Sequence, residues 1–166
     1  MEIVYNDQVK VAARCLQAGL NRGRMSSLHS ALDDIWDGSN VGRHFVVAAV
    51  EDDEFIGCAV YSRRSKMVQV FVKEEHRRKG IGSKLIASLE EVTGVPRQLY
   101  IARPDKDTEP FFDKNYVMSD PSDGGYPLSK EETTRILENP YEAAKIIRKK
   151  RREYRRNWLD RISKNK

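Results

Sequence analysis

The stretch Val68 to Glu91, VQVFVKEEHRRKGIGSKLIASLEE, decides the fold. Val68, Val70 and Val72 alternate with Gln69, Phe71 and Lys73, and β-branched residues at period two predict a half-buried strand. After Glu74-Glu75-His76 comes Arg77-Arg78-Lys79-Gly80-Ile81-Gly82, and then Ser83 to Leu89 carries apolar residues at helical spacing. The order is strand, basic glycine-containing turn, helix. Such a turn leaves backbone N–H groups unpaired at a helix N-terminus, where the macrodipole also favours an anion. Gly80 and Gly82 remove side chains that would hold a phosphate off that backbone, and Arg77, Arg78 and Lys79 add positive charge. The stretch is predicted to bind phosphate.

Two familiar phosphate loops do not fit. A dinucleotide fingerprint needs a third glycine or alanine where Leu85 stands, and a P-loop needs four residues between its glycines and Lys-Ser/Thr after the second. The pattern Arg/Gln-x-x-Gly-x-Gly/Ala does fit, through Arg77, Gly80 and Gly82 directly after a strand. It resembles the acyl-CoA pyrophosphate loop of the GNAT N-acetyltransferases, a resemblance that covers roughly Phe45 to Met118 and is strongest in Val70 to Leu89.

That resemblance implies an α/β (α+β) fold, a mixed and mostly antiparallel central sheet flanked by helices. It implies direct transfer of an acetyl group from acetyl-CoA to an amine, with no metal. Arg77, Arg78, Lys79, Gly80, Ile81, Gly82 and Ser83 would hold the pyrophosphate. Backbone N–H groups near Phe71 and Val72 would polarise the thioester carbonyl as a small oxyanion hole. Glu74 and Glu75 stand beside the loop, and either is a candidate general base, directly or through water. The family's Phe-Tyr-x-x-x-Gly-Phe element is matched, one residue short, by Phe111-Phe112-Asp113-Lys114-Asn115-Tyr116. Phe112 occupies the place of the tyrosine that often protonates the departing thiolate, and a phenyl ring has no proton to give. Tyr116 is the nearest phenol and the candidate acid.

The flanking chain agrees with this order. Met1 to Tyr5 reads as a short strand, and Asp7 as the N-cap of a helix running to about Leu20, ended by Asn21-Arg22-Gly23. Ser26 or Ser27 caps a second helix with Leu28, Leu32, Ile35 and Trp36 on one face. By the same resemblance these helices lie over the acceptor cleft, which makes His29, Asp33, Asp34 and Trp36 candidate lining residues; a core Trp36 and solvated carboxylates are the competing reading. His44 to Val50 and Phe55 to Tyr61, joined by Glu51-Asp52-Asp53-Glu54, predict an antiparallel hairpin. Cys58 reads as a small core residue. Further strands are expected at Gln98 to Ala102 and Asn115 to Met118, with a brief helix between them. Ser119 to Pro127 reads as a loop, Ser129-Lys130-Glu131-Glu132 as a capping box, and Asn139-Pro140 as the start of a last helix from Tyr141 to about Ile162.

Composition sets the remaining bounds. The 166 residues suit one domain with an appendage, divided here into a GNAT-like domain, 1–128, and a basic helical extension, 129–166. No apolar run is long enough to span a bilayer, the first residues lack a signal-peptide layout, and two cysteines make no disulfide framework, so a cytoplasmic setting is expected. Three separated histidines argue against a zinc site. The net charge of +5 is uneven: residues 141–166 hold eleven Lys/Arg and three Asp/Glu, a local +8, which leaves −3 for the first 140. Such a tail points to nucleic acid or an acidic protein surface as partner of Arg148 to Lys166, with Tyr154 and Trp158 placed to stack on bases. A tail helix packed on the domain or on a second subunit through Ile147, Tyr154, Trp158 and Ile162 is the competing reading. The alternative function is a nucleic-acid-binding module, or a nucleic-acid-directed modifier, with a degenerate acyl-CoA site.

Overall fold

The computed structural model describes residues 1–18, 26–38, 42–104, 107–119, 128–139 and 142–164. They form two compact units, Met1–Ala102 and Arg103–Lys166. The first holds β1 (Glu2–Val4), α1 (Gln8–Gln17), α2 (Ser26–Trp36), β2 (His44–Glu51), β3 (Glu54–Ser62), β4 (Met67–Val72), α3 (Ile81–Thr93) and β5 (Ile101–Ala102). Its sheet runs in the order β1-β2-β3-β4-β5. Every pairing is antiparallel until β4 meets β5, which run parallel and pair at Met67↔Ile101.

The β2–β3 hairpin turns on Asp52 and Asp53, both left-handed at φ 49° and 63°, the two-residue geometry that matches strand twist and that aspartate tolerates. One residue later the register slips. Val50 faces Phe55, but Ala49 faces Gly57, so Ile56 is an extra residue on β3. The bulge moves Phe55 onto the same side as Cys58 and Val60, where they pack with Val46, Ala48 and the apolar stripes of α1 and α2 (Val11, Cys15, Leu28, Leu32, Ile35). Cys58 is a core residue, as expected. It lies beside Cys15, and the hydrogen bond between the two thiols, together with burial, pushes the Cys58 thiol well up. Asp7 caps α1, accepting from the Lys10 N–H at 3.1 Å.

The other face of the sheet carries α3, which buries Ile81, Leu85, Ile86 and Leu89 and packs on β2, β3 and β4. There Tyr61 and Tyr100 stack with ring centroids 4.6 Å apart, and the Tyr100 hydroxyl meets Thr93 Oγ1 at 2.9 Å. The strand expected over Gln98 to Ala102 is shorter. Arg97–Leu99 is a 3-10 turn and only Ile101–Ala102 pairs as strand. Glu90 causes this by accepting from the Arg97 backbone at 3.1 Å and from its guanidinium at 2.6 Å, which curls the chain after Pro96.

The second unit holds α4 (Glu109–Lys114), β6 (Met118–Ser119), α5 (Lys130–Glu138) and α6 (Glu142–Lys164). The extended run expected from Asn115 is a turn for two residues. The Asn115 side chain donates to Phe111 O at 2.8 Å, and Tyr116 is left-handed at φ 58°. Ser129 and Glu132 form the full capping box of α5. Trp158 is 3% exposed and donates through Nε1 to Asp113 at 3.3 Å, while Arg161 pairs with the same carboxylate at 3.1 Å. Lys150 pairs with Glu132 at 2.9 Å. The readings placed on Leu20, Asn21-Arg22-Gly23, the 120–127 loop, Pro140, Tyr141 and the side chains of Ile147 and Ile162 lie outside the described residues, as does that of a capping side chain at Ser26 or Ser27.

Candidate active site

The site is built at the end of β4. In an antiparallel ladder successive residues turn their N–H and C=O groups alternately toward and away from one neighbour. The Lys73 N–H donates to Ile56 O at 2.9 Å, so odd-numbered residues here face β3, and Val68, Val70 and Val72 face the β5 side. On that side the Ile101 N–H reaches Lys66 O at 2.9 Å. The recorded β4–β5 pairing stops at Met67↔Ile101. Beyond it no further β4–β5 pair forms among the described residues, and the Val70 and Val72 amides lie along that edge of β4. The Phe71 N–H points instead into the β3 ladder, and its ring stacks on Phe55 at 6.2 Å in the α1–α2 core. Of the two amides named from the sequence, Val72 alone faces the edge away from β3.

Gly57 makes this approach of strands possible. A Cβ at Gly57 would fall 2.6 Å from Phe71 O and 3.2 Å from Val72 Cα. No other residue fits there without moving the backbone of β4.

The loop then turns back on itself. Glu74–His76 is a 3-10 turn that exposes both Glu74 and Glu75. Arg78 is left-handed at φ 61° and Gly80 at φ 77°; the first is an uncommon conformation for a side-chain-bearing residue and the second is what glycine supplies. The Arg77 Nε donates to Val72 O at 3.0 Å and ties the loop to the strand end. Gly80 is the N-cap of α3 and no side chain caps this helix. The Lys84 N–H returns to Gly80 O at 3.2 Å, and the N–H groups of Ile81, Gly82 and Ser83 form the open first turn. Arg77, Arg78 and Lys79 are exposed beside it. Lys73 is held by Glu54, whose carboxyl lies below its usual range because of that lysine's hydrogen bond.

The structure thus gathers Val72 and residues 77–83 on one strand–loop–helix corner, with Glu74 and Glu75 on its outer turn. Tyr116 belongs to the second unit. Of the residues named over the helices, His29 is buried and Trp36 is 56% exposed, so Trp36 is not a core residue. Asp33 is exposed, whereas Asp34 lines a hollow with His44 and Ser62. Sequence reading passed over Gly57, although a lone glycine inside FIGCAVY is itself a sign of close backbone approach. It also passed over the Asp34–His44–Ser62 cluster.

Comparison with known proteins places this corner in context. The sequence profile described as "Acetyltransferase (GNAT) family" matches residues 13–114. No curated protein matches the sequence. An acetyltransferase from Trypanosoma brucei shares the fold, with 18% identity over 76% of this chain and 99% of that one and a TM-score of 0.52. A ribosomal-protein-alanine N-acetyltransferase from Brucella melitensis biovar Abortus 2308 is 15% identical over 78% of this chain and 99% of its own, with a TM-score of 0.49. An aminoglycoside 6′-N-acetyltransferase crystallised with coenzyme A is 21% identical, with a TM-score of 0.44. That match covers 57% of this chain and 56% of the enzyme, so the chain spans little more than half of its length.

Proposed function

The chain belongs to the GNAT acetyltransferase family, and from that premise we propose that it moves an acetyl group from acetyl-CoA to an amine. The observation that carries this reading is the uncapped, glycine-led N-terminus of α3 directly after β4. Its Ile81, Gly82 and Ser83 amides suit the pyrophosphate of CoA, with Arg77, Arg78 and Lys79 supplying charge. The Val72 amide, on the edge of β4 away from β3, suits the thioester carbonyl and the oxyanion that forms when the amine attacks. The amine must lose a proton and the thiolate must gain one. Glu74 or Glu75 is the proposed base, and Tyr116 the proposed acid, since Phe112 has no proton to donate.

The test is thiol release from acetyl-CoA in the presence of small amines, N-terminal peptides and lysine peptides. Replacing the base among Glu74→Gln and Glu75→Gln should lower kcat by about 10²–10⁴-fold and leave the KM for acetyl-CoA unchanged. Unchanged kcat in both variants moves the base to water or to another residue.

A polyanionic partner is the proposed context for the extension from residue 129. Lys145, Lys149, Arg152 and Arg156 are all exposed, and their spacing sets them on one face of α6. Trp158 is turned inward onto Asp113, so this surface suits a phosphate backbone better than stacked bases. Binding of duplex DNA or RNA should fall steeply between 50 and 200 mM salt, roughly as the number of phosphates neutralised, and should weaken on deleting Arg148 to Lys166. Salt-insensitive binding would leave an acidic protein or a packing role. Nucleic-acid binding without acetyl-CoA binding would favour the module with a degenerate site. Among the described residues no helix is long and apolar enough to cross a membrane, and the cytoplasm remains the proposed compartment.

A further inference from the structure

A second polar site lies at the other end of the strands. The hollow between α2, the start of β2 and the β3–β4 turn measures about 450 Å³ and is lined by Asp34, Arg43, His44, Ser62, Arg64 and Ser65. His44, Ser62 and Met67 share one register level, and Gly57 and Val72 share another, five residues along. At about 3.4 Å per residue the two levels are about 17 Å apart. Side-chain alternation puts His44 and Ser62 on the α1–α2 face, opposite α3. This hollow is therefore distinct from the α3 N-terminus.

His44 is held at both ring nitrogens, by Ser62 Oγ at 2.8 Å on Nδ1 and by Asp34 at 3.3 Å on Nε2. The carboxylate fixes the proton on Nε2 in the neutral ring, which leaves Nδ1 to accept from the serine hydroxyl. Asp34 is thus engaged by the imidazole. Arg43 and Arg64 form no ion pair with a described residue, and the neighbouring Arg63 lies with its guanidinium over the Phe45 ring at 5.1 Å. Two arginines face the single carboxylate of Asp34, which the imidazole already engages, so the rim of this hollow of small-molecule size keeps a net positive charge, and the guanidinium fork matches phosphate and carboxylate.

We propose that this hollow binds the oxyanion group, phosphate or carboxylate, of a small molecule, between Arg43 and Arg64 and over the Asp34-braced His44 and Ser62. The proposal is independent of acetyl transfer at the β4–α3 corner.

The test is NMR of the His44 ring in the intact protein, titrated with inorganic phosphate and, separately, with acetate at constant ionic strength. The Gly82 amide is followed in the same spectra. A saturable shift at His44 is expected, weakened at least tenfold in Arg43→Ala/Arg64→Ala while any response at Gly82 is unchanged. A response to phosphate alone assigns a phosphate-bearing ligand, and a response to acetate alone assigns a carboxylate. No saturable shift with either anion, or a shift that survives the double variant, overturns the proposal. Both arginines are exposed, so the variant is expected to fold as the parent does.

Discussion

Gly57→Val is expected to lower the melting temperature by roughly 10 °C and to weaken acetyl-CoA binding at the same time. The new Cβ meets Phe71 O at 2.6 Å, which is backbone and cannot swing aside. Overpacking against a fixed neighbour costs about 3 kcal/mol at the upper end of its usual range, and a chain of this size loses about 2–4 °C per kcal/mol. The displaced segment is Phe71–Val72, so the Val72 amide moves with it. Thermal unfolding beside a CoA titration checks both parts. A melting temperature within about 2 °C of the parent would show that β3 and β4 do not approach as closely as described.

Gly82→Glu should separate binding from stability. Position 82 is the second residue of α3 after the Gly80 cap, where a carboxylate favours the helix dipole and adds a few tenths of a kcal/mol or more to the helix. The same carboxylate would sit among the Ile81, Gly82 and Ser83 amides and repel phosphate. Acetyl-CoA affinity should fall at least 100-fold, or about 2.7 kcal/mol, with the melting temperature held or raised. Affinity retained in a folded variant would place the pyrophosphate elsewhere.

Much of this was legible in the chain. Alternating valines, the Gly80–Gly82 turn and the following apolar stripe specify strand, loop and helix locally, and the structure reproduces them with β4 ending at Val72 and α3 beginning at Ile81. The Ser129–Glu132 capping box is likewise local, and it forms. What escaped depends on side-chain partners and register that local propensity does not report. The extra residue at Ile56 shifts the hairpin by one, so His44 meets Ser62 where counting outward from the turn would give Tyr61. The cluster with Asp34 exists only because of that shift. The short β5 reflects Glu90 capturing Arg97 from a neighbouring helix, and no propensity reports that. Trp158 looked like a stacking platform by spacing alone, but Asp113, 45 residues earlier, turns it inward.

The most direct test of the account follows the backbone amides of Val72, Ile81, Gly82 and Ser83 while acetyl-CoA is added to the intact protein. All four are predicted to shift together and to saturate at one ligand per chain, with inorganic pyrophosphate moving the three helix amides and not Val72. Acetyl-CoA binding that leaves the α3 amides unmoved, or no binding by the folded protein, would contradict the assignment of the β4–α3 corner as the CoA site.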